Sequence, residues 1–244
     1  ANASLFFSLG VALAGVPEAA MLGDFTLAAQ MYGYGRDKER EADELGFEAL
    51  VSAGYEPAAA AAIWDYLISE IEASDSDRKK RRNASASIFS THPLTKERVE
   101  TLRTYADGLA AGEANEADFA AAMAPFLEDW LADDLVRRDF GEHLHLIEHK
   151  IAAGDNLGIL YFRKGEALRI RRGEGDLGAA IEAYRAAVAH DDVPAAAWRG
   201  LGETLIGKGD ADAGRAALQR YLEVAPAAPD YALIERILER EEQP

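Results

Sequence analysis

Arg36-Asp37-Lys38-Glu39-Arg40-Glu41-Ala42-Asp43-Glu44-Leu45-Gly46 is a charged stretch followed by apolar residues at helical spacing. Read as a helix, it places Glu39 and Asp43, four residues apart, on one face about one turn from each other. Apolar positions at Ala42, Leu45 and Ala49 predict the inward stripe, and Phe25 to Tyr34 predicts a preceding helix. The second helix has a visible stop. Gly54 supplies a left-handed cap and Pro57 a rigid first turn for the next helix, whose Ile63, Trp64, Leu67, Ile68 and Ile71 form an apolar stripe read as core.

Working outward, residues 73–90 carry Ser, Asp, Asn and the basic run Lys79-Lys80-Arg81-Arg82, and read as a long, solvated excursion between helices. Order resumes at Ser90-Thr91-His92-Pro93, with Thr95 as N-cap of a helix in which Val99, Leu102, Tyr105 and Ala106 keep the apolar spacing. A polar stretch from Asp107 to Asp118 marks a boundary between 1–110 and 111–244. Beyond it a repeat emerges. Trp198-x-x-Leu201-Gly202, Leu205, Leu218, Tyr221 and Pro226 match the tetratricopeptide pattern, and Tyr161, Gly165, Leu168, Ala180, Tyr184 and Ala187 repeat it. Gly165 to Gly202 exceeds the ~34-residue period by three, which the turn Arg171-Arg172-Gly173-Glu174-Gly175-Asp176 absorbs. A degenerate pair from about Phe126 to Ala153 supplies a third unit, because each unit buries its face only on a neighbour. Tyr231 to Glu241 caps the stack.

Composition bounds the rest. The 244 residues are 49% apolar, rich in alanine and poor in proline, which points to an all-α globular protein. A net charge of -17 argues against a nucleic-acid-binding surface. With no cysteine, disulfides and thiolate metal sites are excluded. The apolar run from Leu5 to Val16 is shorter than the ~20 residues of a spanning helix, and reads as a buried or surface-seeking helix that could touch a membrane peripherally.

On spacing alone, Glu39 and Asp43 equally describe a solvated charged helix. The order of Tyr34 to Gly46, Ala53-Gly54-Tyr55-Glu56-Pro57-Ala58 and Ser90-Thr91-His92-Pro93-Leu94-Thr95-Lys96-Glu97-Arg98-Val99 resembles the zinc metallopeptidase family of HtpX and the CAAX prenyl proteases, and its BepA-like branch with C-terminal tetratricopeptide repeats. The resemblance implies the C-terminal part of a gluzincin-like helical peptidase domain followed by a short α-solenoid. It implies Glu39 as a zinc ligand, Asp43 as its supporting carboxylate, His92 near the metal, and Arg98 holding substrate backbone or developing negative charge. It further implies protein or peptide substrates, outer-membrane assembly proteins among the partners, and a periplasmic location.

One departure is large. No His-Glu-x-x-His occurs in these residues, so two histidine ligands and the general base are missing, and the chain alone is expected to be inactive. The expectation is therefore a portion of a zinc metalloendopeptidase; the alternative is a non-catalytic tetratricopeptide adaptor or pseudo-protease. His145-Leu146-Ile147-Glu148-His149 matches the inverted motif H-x-x-E-H, but it falls in the repeat region without a partner glutamate helix, and is read as capable at most of adventitious metal binding.

Overall fold

A computed structural model describes residues 37–75, 96–137 and 139–241. The expected helix at 25–34, the apolar run at 5–16, the basic run at 79–82, Thr95 and His92 lie outside the described residues. Those described are all-α, with one isolated bridge between Tyr55 and Glu113. No helix among them is long and apolar enough to cross a membrane. They form two compact units, one from residues 37–72 and 96–114, the other from 73–75 and 115–241.

In the first unit, α1 (37–52), α2 (Ala59–Ala73) and α3 (Lys96–Ala106) pack around Phe47, Ala61, Ile68, Val99 and Leu102. Gly54 adopts φ +83°, the left-handed cap its position demands. Residues 112–113 return to this turn: Glu56 N–H donates to the Glu113 carbonyl at 3.1 Å, and Glu113 N–H to the Gly54 carbonyl at 2.9 Å. Four expected inward positions, Ala42, Leu45 and Ala49 on α1 and Ile63 on α2, are corrected. Leu45 is 59% exposed and Ile63 54%. On α1 the inward residues are Glu39, Asp43, Phe47 and Val51, so Ala42, Leu45 and Ala49 face outward. On α2, Ala61, Trp64, Ile68 and Ile71 share the inward face, and Ile63 sits well round the helix from it.

The second unit stacks α4 (Glu116–Met123), a 3-10 turn (Ala124–Phe126), α5 (Leu127–Arg137), α6 (Phe140–Ala153), α7 (Leu157–Arg171), α8 (Asp176–Ala187), α9 (Ala196–Gly207), α10 (Ala211–Val224) and α11 (Tyr231–Glu241). Its main core gathers Leu144, Phe162, Leu168, Ile181, Tyr184, Leu201 and Leu205. Ile234 and Leu238 of α11 close the far end against Leu218 and Tyr221.

Tyr184 is the centre of this stack. Its ring is fully buried between two glycines: a Cβ on Gly165 would lie 2.6 Å from the ring, and one on Gly200 2.7 Å. Its hydroxyl donates to Glu166, which also binds Arg169 at 2.7 Å. Tyr221 repeats the device one unit later, donating to Asp230 at 2.6 Å, with Arg199 on the same carboxylate. The long turn after α7 is sewn by Asp176, which accepts from Arg171 at 2.7 and 2.8 Å and from the Gly173 N–H at 2.6 Å. Arg172 at φ 55° and Gly175 at φ 81° supply the left-handed residues that fit the three extra positions.

Gly165→Ala is therefore expected to lower stability by about 1–2 kcal/mol despite alanine's better helix propensity, since the trapped ring cannot give. Gly178→Ala, whose Cβ meets open space in the same unit, should raise it by up to ~1 kcal/mol. Urea midpoints of the two variants check the opposite signs. The Arg171 hydrogen bonds, with the Gly173 N–H, hold the Asp176 carboxyl below its ordinary 3.8. A depressed carboxyl stabilises the fold above its unfolded pKa and loses that contribution as pH falls through the folded one. Asp176→Asn should thus lower the melting temperature at pH 7 and narrow its gap to wild type near pH 3, as thermal unfolding at the two pH values would show.

Candidate functional site

The inward face of α1 continues past Phe47 toward its N-terminus, where hydrocarbon would be expected, with Asp43 and then Glu39. The inward face of α3 does the same, since Arg98 stands one turn before Leu102. Burial of charge is costly unless it is paired and hydrogen-bonded. Here the N-terminal halves of the two helices meet. Arg98 Nε donates to Asp43 Oδ2 at 2.7 Å and Nη2 to Oδ1 at 2.6 Å, a bidentate fork, while Nη1 lies 3.2 Å from Glu39 Oε2. The side chains are only 11%, 10% and 19% exposed for Arg98, Asp43 and Glu39.

Trp64 of α2 completes the enclosure. Its ring lies under the guanidinium, with Arg98 Cζ 4.1 Å from the ring centroid. The Asp43 hydrogen bonds hold the Arg98 pKa above its already high ordinary value, against the opposing effect of burial. An outer, exposed pair runs parallel, with Arg40 donating to Glu97 at 2.8 Å and to Asp37 at 3.1 Å. Exposed pairs of this kind add little stability. The inner fork is the specific element, because only a planar guanidinium can serve a carboxylate with two parallel bonds while stacking on an aromatic face.

Three of the four residues singled out from the sequence thus converge: Glu39, Asp43 and Arg98. His92 lies outside the described residues. Trp64 is the member that sequence reading assigned to the core alone; a tryptophan on an apolar stripe carries no sign that an arginine from a later helix will stack on it. The zinc expectation fares differently. Glu39 offers a carboxylate, but a guanidinium holds it, and among the described residues no group of three His, Cys, Asp or Glu is placed to bind a metal ion. The described residues do not by themselves fit a zinc. In the repeat unit, Glu148 of the H-x-x-E-H match is ion-paired to Lys164 at 3.0 Å.

Removing one partner of a nearly buried fork strands the other. Asp43→Asn and Arg98→Gln should each destabilise the first unit by about 2–4 kcal/mol, and the double variant by much less than their sum. Arg98→Lys should not restore the loss, because an ammonium makes neither fork nor stack. A urea-unfolding double-mutant cycle measures this coupling; additive losses would break the pairing.

Compared with known proteins, residues 3–106 match Peptidase family M48, a span that includes Glu39, Asp43, His92 and Arg98. Residues 171–237 match the Tetratricopeptide repeat family, from the end of α7 into α11. No curated protein and no solved structure matches the chain. The chain thus carries an M48 peptidase-like segment over residues 3–106 and tetratricopeptide repeats over residues 171–237.

Proposed function

We propose that this chain is the portion of a zinc-dependent endopeptidase that carries the glutamate ligand, Glu39, together with the repeats that recruit protein substrates. The match of residues 3–106 to Peptidase family M48 is the observation that carries the reading, and the placement of Glu39 and Asp43 on one inward face supports it. The histidine pair that would complete the site is absent from these 244 residues. Asp43 and Arg98 act as the groups that orient Glu39. Substrates are unfolded or misassembled proteins, with outer-membrane assembly factors as partners of the repeats, and the resemblance favours the periplasm.

The test uses the protein as purified from the cells that make it. Zinc per chain, measured by mass spectrometry, should be close to stoichiometric, and Asp43→Asn should weaken zinc by about 10–100-fold. Glu39→Gln should abolish both zinc retention and cleavage of unfolded casein. Zinc content and cleavage unchanged in Glu39→Gln would refute the assignment. A second reading, a non-catalytic repeat adaptor, is favoured by the guanidinium that already neutralises Glu39. It predicts partner capture with neither zinc nor cleavage.

A further inference from the structure

Between the two matched segments lies a stretch that neither family accounts for. Helix α4, Glu-Ala-Asp-Phe-Ala-Ala-Ala-Met, is apolar at six of eight positions, yet none of its described side chains is buried. Eight residues are too few for a helix to be stable on propensity, and α4 begins at a left-handed Asn115 with no side-chain cap. Among the described residues, no surface buries this apolar helix.

The exposed face does not end with α4. Phe119 is 65% exposed, Phe126 64% and Trp130 40%, and with Met123 they recur at the spacing of one helical stripe through the 3-10 turn into α5. Leu127 and Leu131, one position further round, point into the unit and are buried, so α5, which carries Trp130, is anchored, while Phe126 ends the 3-10 turn and Phe119 lies on α4. Large exposed aromatics recurring along one stripe mark an interaction surface.

Charge selects the partner. Of the six carboxylates from Glu116 to Val136, Glu128 pairs with Arg163 and Asp134 with His143, while Asp118 and Asp129 stand exposed in a stretch without Lys or Arg. Asp129 stands three residues after Phe126, on the same helical face, and the exposed Asp118 lies in the same turn as Phe119. Lys150 of α6 lies 5.3 Å from the Trp130 ring centroid, showing that this ring accepts a cation over its face.

We propose that the Phe119–Phe126–Trp130 stripe is a docking surface for a cationic amphipathic helix of another protein, whose apolar face covers the aromatics while its Lys and Arg meet the flanking aspartates. The probe is a Leu/Lys peptide of about 18 residues with leucines at i, i+3, i+4 and i+7, compared with its Leu/Glu twin and a scrambled Leu/Lys peptide of the same charge. Calorimetry with the whole 244-residue chain should show binding of the amphipathic Leu/Lys peptide only. Phe119→Ser/Phe126→Ser should weaken it at least about tenfold with an unchanged melting temperature, and Phe119→Ser alone serves if the pair unfolds. Asp118→Asn/Asp129→Asn should flatten its salt dependence. Equal binding of the scrambled peptide, or no loss in the serine variants, would reduce the effect to general attraction by an acidic protein and overturn the proposal. So would self-association of the chain that the serine variants abolish and the peptide fails to compete, since the occupant would then be a second copy.

Discussion

A charge placed on the inward face of a helix must find a partner, and Arg98 is where that constraint is met. Phe47, Val51 and Leu102 bring α1 and α3 together by hydrophobic burial. That packing would force Asp43 and Glu39 into a setting that carboxylates resist. The guanidinium makes the packing tolerable. Because it offers donors at fixed angles, it also fixes the geometry: the fork sets Asp43, the remaining nitrogen reaches Glu39, and the Trp64 ring sets the plane of the whole group. A hydrophobic replacement could equal this arrangement in stability, as buried ion pairs commonly allow. It would not hold two carboxylates side by side, which is the property a metal or substrate site needs.

The repeat unit solves a different problem with a related device. Stacked helices need close approach, which Gly165 and Gly200 provide, and a large side chain to fill the space, which is Tyr184. A buried phenol then needs an acceptor. Glu166 supplies it and is itself satisfied by Arg169, and Asp230 with Arg199 does the same for Tyr221. Burial and the adjacent Glu166 push the Tyr184 phenol far above its ordinary pKa, so it remains a donor at any physiological pH. Each ring is thus keyed in orientation as well as in position, and the repeats stack in one register.

Much of this was legible in the sequence because it rests on spacing. The large and small residues Trp198, Leu201, Gly202, Leu218 and Tyr221 define the repeat by offsets alone, and the extra turn residues between Arg171 and Asp176 explain its long period. Gly54 announced its left-handed cap. The face of α1 was misread for a physical reason: Ala42, Leu45 and Ala49 look like a stripe, and acidic residues look solvated, until Phe47 fixes the rotation and turns Glu39 and Asp43 inward. The stack of Arg98 on Trp64 joins different helices, and no local pattern encodes it. Helix α4 also escaped notice, since a short alanine-rich segment has no polar face to give it a period.

The central claim is that one immobilised guanidinium organises the first unit. Nitrogen-15 NMR of the arginine Nε–H groups tests it most directly, because a donor fixed in a carboxylate fork and shielded by a ring exchanges slowly with water. The account predicts a resolved, slowly exchanging Arg98 Nε–H signal, displaced by the Trp64 ring current and lost in Asp43→Asn. An Arg98 signal that exchanges as fast as those of exposed arginines, and is indifferent to Asp43, would contradict it.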